Sequence, residues 1–174
     1  INSGHKITDK DEVFYKAKGN SEPLSSEIRL DEDLLTFFGL WIADGCYDKK
    51  SVIISVGQPE EQQIVKNIAD KFNLRVKVHS DEFSLMLNSI TLKTVMREVF
   101  ELKGDAYTKK IPSWVYNVDS MQTSWLLKGV FSGDGCASDK EIVIALASKE
   151  LLKDIQTLLL SFGIILRIGS QRKD

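Results

Sequence analysis

The stretch "GLWIADGCYDKK", residues 39–50, decides the fold because "GVFSGDGCASDK", residues 129–140, repeats its plan. Each has a glycine, an apolar turn, a small residue, then Asp-Gly-Cys, with a lysine in the final place. Working outward, Gly45 to Val78 aligns with Gly135 to Ile168 without a gap, at an offset of 90. Cys46 matches Cys136, Lys50 matches Lys140, Ile54 matches Ile144 and Phe72 matches Phe162, while "VIISV" coincides with "IVIAL" and "NLRVKV" with "GIILRI". Agreement in register over 34 positions marks an internal duplication.

The elements follow from periodicity and punctuation. Acidic residues at Asp31–Asp33 cap a helix running to about Ala43, closed by Gly45. "SVIISV" predicts a strand, "PEEQQIVKNIADKF" a helix opened by Pro59, and "LRVKVH" and "EFSLMLN" two more strands. "TLKTVMREVFEL" predicts a helix capped by Thr91. In the copy, a helix ends near Gly133, followed by strand "EIVIAL", helix "SKELLKDIQTLLLSF" and strand "IILRI". The counterparts of most of "EFSLMLN" and of all of "TLKTVMREVFEL" and "TKKIP" would lie beyond Asp174. We therefore expect an N-terminal arm over 1–30 with a short strand at "EVFYK", a first repeat over 31–120, and a truncated second repeat over 121–174.

Composition sets outer limits. The 174 residues are 43% hydrophobic, enough for one or two compact domains. No apolar run approaches the roughly 20 residues of a membrane span, and the polar start is no signal peptide. Two cysteines are too few for a disulfide framework, so a reducing cytoplasm is the expected location. The net charge of −2 does not advertise a nucleic-acid partner. The imbalance is local, however: residues 1–33 hold five basic and eight acidic side chains, leaving 18 basic against 17 acidic in the rest. The first residue, Ile1, suggests a piece excised from a longer chain.

Gly39 and Ala43 share one helix face, as do Gly129 and Gly133. Small residues at that spacing let two backbones approach closely, which would set Asp44 and Asp134 side by side. Two carboxylates at the negative ends of two helices repel each other, and a hard divalent cation relieves that conflict. The backbone carbonyls of Ala43 and Gly133 are further candidate ligands. Asp-Gly is also a common turn after a helix; its appearance at two matched positions is what favours a shared site.

"FFGLWIADG" (37–45) and "LKGVFSGDG" (127–135) resemble the two motifs of the LAGLIDADG homing endonucleases, in particular those carried inside inteins. "KKIPSW" (109–114) is similar to the Lys-x-Ile-Pro segment that precedes the second motif in that group. Phe38 and Lys128 stand where the family often has a small residue, and Ile42 and Ser132 replace the first acid of its name motif. The resemblance implies an α+β fold of two pseudo-symmetric αββαββα repeats with saddle-shaped antiparallel sheets and a central two-helix interface, the second repeat incomplete. It implies site-specific, Mg2+-dependent hydrolysis of double-stranded DNA by a monomer at a long asymmetric site. Asp44 and Asp134 would hold the metal and Lys109 would be catalytic, with Lys110 as a rival. Exposed strand faces would read the major groove, which makes Arg75, Lys77, His79 and Arg167 DNA-binding candidates. Ser84 and Asn88 are weaker ones. Tyr47, Lys49, Lys50 and Lys140, in turns after the motif helices, would reach phosphates. Splicing in that group needs a first-position nucleophile and a terminal His-Asn, so residues 1–174 are expected to cut rather than splice, beside or within an intein splicing domain. A non-cleaving DNA- or RNA-binding module of the same fold, like the family's maturases and regulators, is the alternative. Cys46 and Cys136 make no zinc site, and Trp41, Trp114 and Trp125 read as packing residues.

Overall fold

The computed structural model describes residues 4–9, 12–17 and 22–169. Strands β1 (Gly4–Asp9), β2 (Glu12–Ala17) and β3 (Leu24–Ser25) form an antiparallel sheet in that order. The strand expected at "EVFYK" is β2; β1 was hidden because "GHKITD" has no apolar alternation and is defined only by pairing with β2. The sheet is fastened to the body where the Ala17 amide donates to Thr91 Oγ1 at 3.2 Å.

The first repeat follows the αββαββα order. Helix α1 (Glu32–Asp44) starts at Asp31, whose carboxylate accepts from the Leu34 amide at 3.1 Å. Every residue from Leu34 to Ile42 is buried, as expected of a helix that is apolar on all sides. Then come β4 (Gly45–Tyr47), β5 (Val52–Ser55), α2 (Pro59–Lys71), β6 (Val76–Val78), β7 (Ser84–Leu87) and α3 (Ile90–Glu98). The strands form one antiparallel sheet, ordered β4-β5-β7-β6. The cap of α3 is Ser89 and not Thr91: Ser89 Oγ accepts from the Leu92 amide at 3.0 Å, while Thr91 is buried and its hydroxyl accepts from Ala17.

A connection containing a 3-10 turn at Ser113–Asn117 leads to α4 (Ser120–Asp134), β8 (Gly135–Ala137), β9 (Ile142–Ile144) and α5 (Lys149–Ser161). The duplication is visible in the pairing itself. Gly45 opposes Ile54 as Gly135 opposes Ile144, and Cys46 opposes Ile53 as Cys136 opposes Val143.

Helices α1 and α4 form the centre, in contact backbone to backbone. A methyl group added at Gly39 would lie 2.1 Å from the Leu126 carbonyl oxygen, and one at Gly129 would lie 2.0 Å from that of Thr36. Near the helix ends, a methyl at Gly133 would meet Ala43 Cβ at 2.6 Å. The close approach expected from these small residues is present.

The strand expected at "IILRI" is absent: residues 164–168 have no regular structure. In the first repeat β6 pairs only through β7, and the matching position for the start of β7 is residue 174, outside the described residues. Without that neighbour the backbone has no ladder to join. The consequence is exposed apolar surface, with Ile142 at 68% and Ile165 at 81% accessibility. Among the described residues no helix is long and apolar enough to cross a membrane.

Candidate active site and nucleic-acid interface

Helices α1 and α4 both stop at an Asp-Gly pair, where the amides of Gly45 and Gly135 fold back to the carbonyls of Trp41 and Phe131. Because the helices touch through small residues up to Ala43 and Gly133, the next residues, Asp44 and Asp134, emerge together. Asp44 is exposed and Asp134 half-buried. Burial, and then the neighbouring Asp44 carboxylate, push Asp134 up to about 6, with Lys109 pulling the other way.

Lys109 is 4% exposed, an unusual position for a lysine. Its Nζ donates to the Trp41 carbonyl at 2.9 Å and the Ala43 carbonyl at 3.2 Å, and lies 4.8 Å from the centre of the Trp41 ring. No basic residue occupies the last turn of α1, so Lys109 supplies the positive charge at that helix end from outside the helix. Burial lowers its pKa to about 8, against the opposing pull of Asp44 and then Asp134. Lys110, the rival, is exposed.

The segment carrying Lys109 is built to hold it. Gly104 adopts φ +100°, and a methyl there would come within 2.8 Å of the Lys109 nitrogen. The Asp105 carboxylate accepts from the Tyr107 and Thr108 amides and from Thr108 Oγ1, closing a turn whose last bond runs from the Lys109 amide to the Asp105 carbonyl at 3.0 Å. Downstream, the Trp114 indole donates to the Phe100 carbonyl at 2.9 Å, and the Phe100 ring packs on Phe38 with centroids 4.8 Å apart. Phe38, the large residue at an often small family position, therefore anchors the lysine segment to α1.

Among the described residues no three His, Cys, Asp or Glu side chains gather as a metal cluster. The donor set is two carboxylates, with the Ala43 carbonyl shared with Lys109. Two carboxylates completed by water and phosphate oxygens match the habits of magnesium. Burial first, and then repulsion from Asp44, raise Asp134 against the pull of Lys109. The residues fit a hard divalent cation.

On the first sheet the register sets Cys46, Ile53, Met86 and Lys77 in one row across all four strands. The opposite row, Tyr47, Val52, Leu87 and Val76, faces the core. Lys77 and Arg75 are exposed as expected, but the middle of that row is apolar, with Ile53 buried and Met86 half-buried, which no charge count would have revealed.

Four readings change. Tyr47 is half-buried, stacked on Trp41 at 4.6 Å, with its hydroxyl donating to the Leu102 carbonyl at 3.0 Å, so it is engaged within the fold. His79 turns from the outer face to Asp81, 3.1 Å from Nδ1, and the expected alternation ends with Val78 at 65% exposure. Asp81 itself is tied to the Ser84 hydroxyl at 2.7 Å, which, with the amides of Ser84 and Phe83 and then His79, lowers it to about 2. That bond engages buried Ser84 within the fold, whereas Asn88 stays exposed with its Oδ1 accepting from the Ser51 hydroxyl. Arg167 is exposed but lies on no strand. Lys49, Lys50 and Lys140 are exposed in matching hairpin turns. Lys93, overlooked in the sequence, pins the first of these turns by donating to the carbonyls of Asp48 at 2.6 Å and Lys49 at 3.2 Å. Cys46 and Cys136 are exposed free thiols, and Trp41, Trp114 and Trp125 pack in or against the core.

Residues 121–174 match the family described as "LAGLIDADG-like domain". By structure, the chain is similar to I-DmoI in complex with DNA and manganese, with a TM-score of 0.62 at 15% identity, covering 83% of this chain and 85% of that one. Mesophilic variants of the homing endonuclease I-DmoI give a TM-score of 0.59 at 16% identity, covering 78% and 79%. The fold is thus the α+β LAGLIDADG homing-endonuclease fold. In sequence, the chain is 30% identical over 141 residues to an iron-sulfur cluster assembly SufBD family protein of Mycobacterium leprae, covering 76% of this chain and 16% of that protein. It is 28% identical to the DNA-directed RNA polymerase subunit Rpo1C of Methanocaldococcus jannaschii, covering 93% and 19%. It is 31% identical to the DNA polymerase II large subunit of Thermococcus kodakarensis, covering 75% and 8%. The chain thus spans less than a fifth of each of these relatives.

Proposed function

We propose that this chain is the DNA-cutting part of an intein: a site-specific, magnesium-dependent endonuclease that hydrolyses phosphodiester bonds in double-stranded DNA as a monomer. The observation that carries the reading is the pairing of Asp44 and Asp134 at two abutting helix ends, with the buried Lys109 ammonium reaching into the same place. One chain thereby supplies both halves of a pseudo-symmetric site. An asymmetric target is natural, because the two halves carry different surface residues. The intein setting rests on the relatives. A segment shared by proteins of iron-sulfur assembly, transcription and replication, always a small part of the whole, behaves as a passenger and not as part of any one host activity.

The roles follow from position. Asp44 and Asp134 would hold the cation, whose contribution when bound is Lewis-acid stabilisation of charge on the phosphoryl oxygens. Lys109 has three N–H donors, two of them bonded to carbonyls. The third is available to a water or a phosphate oxygen, a fixed positive charge aimed where negative charge develops. Lys77, Arg75, Lys49, Lys50 and Lys140 would contact DNA, with half-buried Met86 offering apolar contact to base edges such as thymine methyl groups.

A second reading, a DNA- or RNA-binding module that does not cut, draws on the two-stranded second sheet, which offers less surface than the first. The two readings separate in one assay. The protein is incubated with magnesium and a plasmid carrying the rejoined host sequence at the candidate insertion site. Linear product that disappears in Asp44→Asn and Asp134→Asn supports the endonuclease. Retention of the plasmid in a gel shift without any cleavage supports the module.

A further inference from the structure

The geometry points to Ser148 and Asp154, both from the second repeat, as positioning residues that hold Lys109 against the end of α1. This rests on the endonuclease reading for its catalytic consequence, though not for its structural content.

Lys109 sits on a long connection between α3 and α4, with no regular element at residues 99–112 to fix it. Its backbone is gripped from the far side by α5 at two points. Ser148 Oγ donates to the Lys109 carbonyl at 2.7 Å, and the Ile111 amide donates to Asp154 Oδ2 at 3.0 Å. The two bonds straddle Lys110 and clamp the segment immediately before Pro112. Ser148 is 1% exposed, and its hydroxyl works in both directions. It accepts from the Leu151 amide at 3.2 Å, as the N-cap of α5, while donating to Lys109. A hydroxyl has one donor and two acceptor positions, so both bonds are satisfied together; an ionised Asp could cap but could not donate.

The duplication provides an internal control. At the offset of 90, Ser148 matches Gln58 and Asp154 matches Ile64. Helix α2 is built with neither a hydroxyl nor a carboxylate at these places, so the repeat does not require them. They differ where the lysine segment docks. A cradle of this kind matters because a displacement of about 1 Å in a reacting group can cost roughly a hundredfold in rate.

The test uses the full chain with Ser148→Gly, Ser148→Thr and Asp154→Ala. Glycine is nearly as good an N-cap as serine but removes the donor, whereas threonine keeps both bonds. Lysine acetylation by a brief pulse of acetic anhydride, read by peptide mass spectrometry without DNA or metal, reports how freely Lys109 reaches solvent. We expect Lys109 labelling to rise about fivefold in Ser148→Gly and Asp154→Ala, with exposed Lys110 unchanged as a reference and the cooperative thermal transition retained. Ser148→Thr should label as wild type. In cleavage, Ser148→Gly should lose about tenfold in kcat with an unchanged KM for DNA. Wild-type labelling of Lys109 in both folded variants overturns the proposal. If the wild-type chain does not cut DNA, the endonuclease reading falls, and the labelling still decides whether the clamp exists.

Discussion

Asp134 and Lys109 approach a common pH from opposite sides, one raised to about 6 and the other lowered to about 8, each mainly by burial. A carboxyl at about 6 in the fold and at its ordinary 3.8 when unfolded keeps a proton that the unfolded chain has lost. Its contribution to stability is therefore whole below about pH 4 and is lost as pH rises through 6. In metal-free buffer, Asp134→Asn should remove that fall and melt higher than wild type at pH 7.5; added magnesium should raise the melting temperature of wild type only. If the chain cuts DNA as proposed, the acid must be ionised and the amine charged, so at limiting magnesium the single-turnover rate should form a bell with limbs near pH 6 and 8. The glycines make a sharper test. In Gly129→Ala the added methyl meets a carbonyl oxygen, so the central helices must part. A loss of about 3 kcal/mol is expected, or roughly 6–12 °C in melting temperature by calorimetry.

Among the elements, the helices and β5 were legible because apolar period and punctuation agreed with each other, whereas β4, read as a turn, is defined only by its pairing with β5. Asp31, Pro59 and the two Asp-Gly stops mark helix boundaries chemically, and the Asp-Gly stop recurs at the matching place in both repeats. The strand at "IILRI" had the right composition and failed for want of a partner, a property of the chain elsewhere and not of those residues. On the outer face of the first sheet, the alternation at 74–77 was correct, but the turn after β6 draws His79 to Asp81 through a bond no periodicity announces. Lys77, at the end of the transverse row, is the cleanest probe of that face. If it meets a phosphate, Lys77→Ala should weaken binding of all DNA sequences alike and reduce the slope of log K against log salt by about 1. A base contact would instead relax specificity at one position. Fluorescence anisotropy across a salt series measures both.

Over the whole molecule, the duplication made the pairing of the two helix ends legible: two motifs at one offset set Asp44 beside Asp134. Near-zero net charge left the partner unreadable, since the fold sets cations and apolar residues on one sheet face without changing the total. The two halves are unequally covered, and in the second Ile142 of β9 and Ile165 are exposed. Apolar patches of this kind promote self-association. Ile142→Lys with Ile165→Lys should delay the onset of light scattering at high protein concentration while leaving the melting temperature within about 2 °C.

The lysine that plugs the end of α1 has a history to predict. If the proposed endonuclease reading holds, a descendant that stopped cutting would be free to drop its acids, and Asp134 first, because a neutral residue there relieves burial of a charge and repulsion from Asp44. Lys109 would stay under selection as a plug for exposed carbonyls. Decayed members of such a lineage should therefore be recognisable by an intact lysine beside vacant acid positions, a fossil order of loss that sequencing can check.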